Sequence, residues 1–322
     1  MGVRTFTKNG RIWIVPTLVM LALTLVIAGA WQVNKAEAAH GADLLMLSTT
    51  LDGLGSGASV EEQQAIAAGL TYEIATPAQW AAKSASDFSH YRALVLGDPH
   101  CGGIGSIAAA TANAATWGPE FTGNVIIIGT DPDWHGHGVA NPRRLVTKQG
   151  MEFAASDPGK TGAYITLSCY YHGVGNFTAV PMLDTAFGIS GDFTVRGVGC
   201  FNVVKIVATH PALTGITDAI LGGWSCSVHE AFDKWPISFE VLAIATLGTI
   251  FTAPDGTLGT PYILAGGVTV ISDIDLIPHA DTNNVGETHT VTAVVTDDSG
   301  GTPAPVVGLQ GHSRSACGHH RH

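Results

Sequence analysis

Charge is what this chain has least of. Asp, Glu, Lys and Arg make up only 13% of its 322 residues, about half the usual share of ~25%. Basic residues are the scarcer sign, 15 Lys+Arg against 26 Asp+Glu, for a formal net charge of -11. No basic stripe runs through the sequence, which excludes nucleic acid as an expected partner. No Cys-x-x-Cys pair occurs, so the common zinc-module spacings are absent. No Gly-x-Ser-x-Gly occurs either, which removes the serine elbow of the α/β-hydrolases. After the first forty residues no apolar run is long enough to span a bilayer. What is present is a chain with 46% hydrophobic residues and 40 glycines, too apolar to be disordered.

The first residues read as an address. Arg4, Lys8 and Arg11 precede a stretch from Ile12 to Ala30 that is apolar apart from Thr17 and Thr24, and Ala36-Glu37-Ala38 supplies a small-x-small cleavage site. Residues 1–39 are therefore expected to be a signal peptide, with an uncleaved anchor as the alternative. The remainder is expected to be exported, to the periplasm, the medium or the cell surface, touching membrane only through that segment. About 280 residues then remain, enough for one large α/β domain and a small appendage. Five cysteines would meet an oxidising compartment, where pairing is plausible. Cys200 and Cys226 are close in sequence and could pair; Cys101 and Cys169 fall at expected strand ends and could pair or stay free.

From residue 40 to 270 the pattern alternates strand and helix. Strands are expected around Leu44, Tyr72, Leu94, Ile127 and Ile165. Ser59 with Glu62 forms a capping box, and Thr76-Pro77 opens a further helix. Crossovers of ~15–20 residues argue for a doubly wound parallel sheet of flavodoxin-like type, order 2-1-3-4-5. Further strands are expected within Phe193–Val207, Phe239–Thr246 and Tyr262–Ala265. After about Val270 the character changes. Val285-Gly286-Glu287-Thr288-His289-Thr290-Val291-Thr292-Ala293-Val294-Val295-Thr296 alternates Thr with apolar residues, a half-buried strand pattern. It resembles the opening of bacterial immunoglobulin-like domains of the invasin type. Residues 271–308 are expected to be a partial β-sandwich piece, and 309–322, with its four histidines, an unstructured tail.

Tyr91-Arg92-Ala93-Leu94-Val95-Leu96-Gly97-Asp98-Pro99 resembles the "YDALVLPGG" strand and turn of the class I glutamine amidotransferase-like superfamily. Thr209-His210-Pro211-Ala212-Leu213-Thr214-Gly215-Ile216 resembles the "HPITxGL" segment of its non-glutaminase branches. The resemblance covers about Ala42 to Gly267 and implies an α/β fold with a site at the carboxyl edge of the sheet. The next strand of that superfamily leads to a Gly-x-Cys-x-Gly elbow. Here the turn is Gly129-Thr130-Asp131-Pro132-Asp133, with Asp131 where the cysteine would be, so hydrolysis of glutamine through a thioester at that position is not implied.

Three groups of chemically active residues fall at strand ends. After Leu96 come Asp98, His100 and Cys101, with Gly102-Gly103, whose amides would approach an oxyanion unhindered by a Cβ. After Ile128 come Asp131, Asp133, His135 and His137, read as ligands for a divalent cation, as an acid/base pair, or as ordinary turn chemistry. After Leu167 come Cys169 and His172, a possible thiol–imidazole pair. His229-Glu230 could reach this edge from the second half, or start a helix capped by Ser227. The expectation is an exported hydrolase of a small acyl compound: an ester, a lactone such as an acyl-homoserine lactone, or an amide. Asp131, His135, Cys169 and His172 are its catalytic candidates. Asp98, His100, Gly102 and Gly103 are the substrate and oxyanion candidates, and Asp131 with Asp133 the site for Ca²⁺ or Zn²⁺. The alternative is a non-catalytic surface, adhesion or ligand-binding module.

Overall fold

Short strands buried on both faces alternate with helices that carry their own start signals. A computed structural model describes residues 41–53, 59–137, 141–188 and 191–267, together with the backbone of two strands at 271–277 and 292–297. Strands β1 (Leu44–Leu47), β2 (Tyr72–Ala75), β3 (Ala93–Leu96), β4 (Phe121–Ile128) and β5 (Thr161–Thr166) form the parallel part of the sheet. Helix α1 (Val60–Ala67) starts at Ser59, whose hydroxyl accepts from the Glu62 amide while the Glu62 carboxylate accepts from the Ser59 amide. Helices α2 (Pro77–Ala82) and α3 (Ala85–Phe88) start with boxes of the same kind, Thr76 with Gln79 and Ser84 with Asp87. Each such cap stabilises its helix by about 1 kcal/mol relative to alanine. Helices α4 (Ala108–Ala112), α5 (Ala114–Trp117), α6 (Pro132–Gly136) and α7 (Arg144–Ala154) complete the first half.

Because side chains alternate along a strand, each strand feeds two cores. Leu45, Leu94, Ile127 and Ile165 point to the side of Trp80, Phe88 and Trp117. Leu44, Val95, Ile126 and Tyr164 point to the other, where Ala65 of α1 and Val146 and Met151 of α7 cover them. Truncating a fully buried side chain here, such as Leu94 to Ala, costs about 2–5 kcal/mol.

The sheet corrects the expected strand order. Leu94 pairs with Ala163, and Ile127 with Ile165. Strand β5 therefore lies between β3 and β4, and the parallel order is β2-β1-β3-β5-β4 rather than the flavodoxin order. The α/β class with helices on both faces stands. Hydrophobic pattern and crossover length are the same for either order, so nothing local distinguishes them.

The second half extends this sheet with antiparallel strands. β12 (Leu258–Gly267) pairs with β4, then come β10 (Glu240–Ala245) and β8 (Val204–Ile206), and β11 (Phe251–Thr252) pairs with β12. A separate antiparallel sheet holds β6 (Thr178–Ala179), β7 (Thr194–Gly197) and β9 (Glu230–Lys234). Helices α8 (Pro181–Ala186) and α9 (Asp218–Leu221) link these strands. In the expected immunoglobulin-like segment, β13 (Ile271–Ile277) and β14 (Thr292–Asp297) pair antiparallel. The expected signal peptide and the tail lie outside the described residues. Among the described residues, no helix is long and apolar enough to cross a membrane.

Candidate active site

The carboxyl ends of β3, β5 and β4 converge, with β5 in the middle. The loop after β5 is Leu167-Ser168-Cys169, so Cys169 stands between Cys101 on one side and Asp131 on the other. Cys101 and Cys169 form a disulfide with Cα atoms 4.7 Å apart. That separation fits neighbouring strands, which lie about 4.8 Å apart, and would not bridge two strand spacings. The second disulfide joins Cys200 to Cys226.

Asp98 ties the three loops together. Its buried carboxylate accepts from the Ser168 hydroxyl at 2.6 Å, the Cys101 amide at 3.1 Å, and the Asp133 and Trp134 amides at 3.0 and 3.1 Å. Burial first, then the charge of Asp131, push the Asp98 carboxyl up to about 7, while its donors restrain the rise. This clasp holds backbone that non-glycine residues avoid. His100, Cys101 and Ser168 have φ of 53°, 58° and 51°, and Ser225 across the cavity has 68°. Each left-handed residue of this kind costs about 1–3 kcal/mol and persists only where its surroundings fix it.

On the other side of Cys169 lies a relay. His229 Nδ1 is 2.6 Å from Cys169 Sγ, and His229 Nε2 is 3.3 Å from Asp131 Oδ1. His135 Nε2 is 3.1 Å from the same oxygen. Asp131 is buried, and its one hydroxyl contact, from Thr130, is long at 3.4 Å. Burial lowers the His229 imidazole to about 4, against the pull of Asp131, so the ring is neutral at pH 7. His172 Nδ1 lies 3.3 Å from the His229 carbonyl. A carbonyl can only accept, so that nitrogen carries the proton. His229 itself is placed by backbone. The His229 and Glu230 amides both donate to the Gly129 carbonyl at 3.1 Å, and a Cβ at Gly129 would overlap the Glu230 carbonyl oxygen. Only glycine allows β9 to approach the end of β4 this closely.

These groups open onto a cavity of about 560 Å³, within the range of small-molecule sites. Its walls are His100, His135, His172, His229, Asp131, the indoles of Trp134 and Trp224, Ser225, and one member of each disulfide. A cavity of similar size, about 550 Å³, lies beside Ile206, Leu213 and Ile216, but His210 is the one titratable residue in its lining, and that ring accepts locally from the Ala212 amide. Of these two cavities, the first is the one lined by several titratable side chains.

The structure thus brings Asp131, His135, His172 and His100 to one cavity; Cys169 is not in its wall but is bonded to Cys101, which is, and its sulfur lies against His229. Asp98 is not in its wall, being consumed by the clasp, and Gly102 and Gly103 are not in its wall either. The Gly102 amide donates to Ser168 Oγ at 3.1 Å instead of facing an oxyanion. Asp131 and Asp133 do not share a metal-sized cluster. Asp133 groups with His100 and His137, whereas Asp131 groups with Cys101, Cys169 and His229. The described residues therefore include groups that could hold a metal ion, but not the expected Asp131/Asp133 pair. His229, which the sequence left open between reaching this edge and starting a helix, lies in the cavity wall. Its segment forms strand β9 rather than a helix. No family model, curated protein or solved structure matches the chain.

Proposed function

We propose that this protein is a hydrolase of small acyl compounds, exported as its N-terminus suggests, whose nucleophile is the Cys169 thiol in the reduced protein. The observation that carries this reading is the line Cys169 Sγ, His229, Asp131 Oδ1, with steps of 2.6 and 3.3 Å. A neutral imidazole with Nε2–H toward Asp131 turns its Nδ1 lone pair to the sulfur, the arrangement a general base for a thiol requires.

The disulfide is the resting state. A dithiol reductant donates two electrons and two protons, leaves as its own disulfide, and frees Cys101 and Cys169 as thiols. The Cys169 proton then passes to His229 Nδ1 as sulfur bonds to the acyl carbon. The ester or amide bond breaks, and the leaving group takes the proton from His229. Water, deprotonated by His229, hydrolyses the thioester. His135 and His172 flank the acyl group, and the exposed Trp134 and the buried Trp224 supply apolar wall for a short chain.

A second reading rests on His135 Nε2 at 3.1 Å from Asp131, which needs no thiol. Here the pair activates water while the disulfide stays intact. The test is an assay of the full chain on chromogenic esters, lactones and amides, before and after a dithiol. The thiol reading expects turnover only after reduction, none in Cys169→Ser under either condition, and thiol-independent turnover in Cys101→Ser. Turnover of the oxidised protein that survives Cys169→Ser but not His135→Ala would replace it with the second reading. No turnover in any state would leave a surface or ligand-binding module.

A further inference from the structure

At the edge of the same cavity, three side chains are arranged as metal ligands around an incompletely satisfied carboxylate. His100 Nδ1 is 2.9 Å from Asp52 Oδ2, and its Nε2 is 3.3 Å from Asp133 Oδ1. His137 completes the group, with all three ligand atoms within 4.8 Å of one another. Asp133 is 1% exposed, and its second oxygen, Oδ2, makes no hydrogen bond.

The tautomer matters. With Asp52 Oδ2 2.9 Å from Nδ1, a neutral ring can carry its proton there and turn the Nε2 lone pair toward Asp133; in the other tautomer Nε2–H donates to Asp133 Oδ1. A cation between that lone pair and the anionic oxygen favours the Nδ1–H tautomer, in which Nε2 is free to coordinate. An imidazole held by a carboxylate at one nitrogen while the other coordinates is the usual support for a zinc ligand. The distance fits as well. A tetrahedral ion with bonds of about 2.0–2.2 Å holds neighbouring ligand atoms about 3.3–3.5 Å apart, and Nε2 and Oδ1 are 3.3 Å apart. Two imidazoles and one carboxylate form a nitrogen-rich set that suits Zn²⁺ over Ca²⁺ or Mg²⁺. Three protein ligands leave the fourth position for water, as in catalytic rather than structural zinc sites.

We infer that His100, Asp133 and His137 bind one Zn²⁺, with Asp52 orienting His100. The inference does not rest on the thiol reading of the neighbouring relay. The disulfide separates the two experimentally, since oxidised Cys101 and Cys169 offer no thiolate to zinc.

The test uses the full chain, stripped with chelator and kept oxidised, and titrated with Zn²⁺ by calorimetry, with Co²⁺ absorption as a geometric check. The tail histidines His312, His319, His320 and His322 are retained in every variant, so any binding there is common to all. His137→Ala is the primary variant, because His137 is exposed at a helix end and its loss leaves the core intact. It should remove one equivalent, or weaken that equivalent at least ~10-fold, and abolish the tetrahedral Co²⁺ bands. Asp52→Asn should weaken the same equivalent ~10-fold through His100, and His172→Ala should leave it unchanged. Binding identical in the parent, His137→Ala and His100→Ala, or no binding at micromolar Zn²⁺, would overturn the site.

Discussion

Asp98 and Asp131 sit on the same sheet edge, both out of solvent, yet their surroundings are opposite. Asp98 accepts four good hydrogen bonds from three different loops. Asp131 faces two imidazole nitrogens at 3.1 and 3.3 Å and one long hydroxyl contact. Neither His135 Nε2 nor His229 Nε2 meets it in good hydrogen-bond alignment. A carboxylate saturated with donors holds structure together. One left with loosely aligned, exchangeable partners at a cavity wall is placed to move protons. Burial alone does not tell the two apart; the partner list does.

Substitution should separate them sharply. Asp98→Ala removes the acceptor of three amides, one of them fully buried, and of a buried hydroxyl, each worth about 1 kcal/mol or more. It should cost at least ~3 kcal/mol, a fall of about 10 °C in melting temperature for a domain of this size. A fall under about 2 °C would mean that the clasp contributes nothing. Asp131→Asn should do the reverse. Turnover should fall at least ~100-fold, the scale of a positioned acid/base group, with the melting temperature within about 3 °C of the parent. Unchanged turnover of a confirmed activity would remove Asp131 from the relay.

The smallest effect is in pH. His229 titrates at about 4 when folded against 6.5 free, so the unfolded chain binds its proton first. Stability from keeping this ring neutral is complete above pH 6.5 and is lost as pH falls through that value toward 4. The loss at pH 5 amounts to about 2 kcal/mol. Asp98 works the other way. Its carboxyl rises to about 7, so protonation on acidification stabilises the fold over much of the same window. The net slope of the parent therefore says little. The difference between the parent and His229→Asn, measured by denaturant unfolding at pH 7 and pH 5, isolates the imidazole. An identical pH slope in both proteins would show that His229 is not held neutral.

Much of the local structure was legible in sequence. A capping box announced α1, Thr76-Pro77 announced α2, and runs such as Leu44–Leu47 and Val125–Ile128 announced buried strands. Their order was not, because a hydrophobic strand carries no record of its neighbours. One long-range clue existed. Cys101 and Cys169 both fall at strand ends, and a disulfide between them requires β3 and β5 to be adjacent, which fixes the order found. Of the six residues expected to line one site, Asp131, His135 and His172 reach the cavity wall, whereas Asp98, Asp133 and Cys169 do not. Asp98 was read as a substrate residue because the four donors that occupy it come from as far as Ser168, 70 positions away. His229 lies 60 residues beyond Cys169, and the Ser227 ahead of it looked like a helix cap where the chain in fact enters β9. Interactions at such separations leave no periodic signature.

The order of the relay along the chain also has a consequence in time. Cys101 precedes Cys169 by 68 residues, and His229 follows Cys169 by 60. A chain synthesised at about 5–20 residues per second has both cysteines for about 3–12 s before its imidazole exists. The imidazole is then useful only once the segment at Glu230 has settled against Gly129. A nascent chain in an oxidising compartment can therefore close the Cys101–Cys169 bond before any base is present to activate the sulfur. Under the thiol reading, this schedule would make the protein capped at birth and its activity a separate, later event.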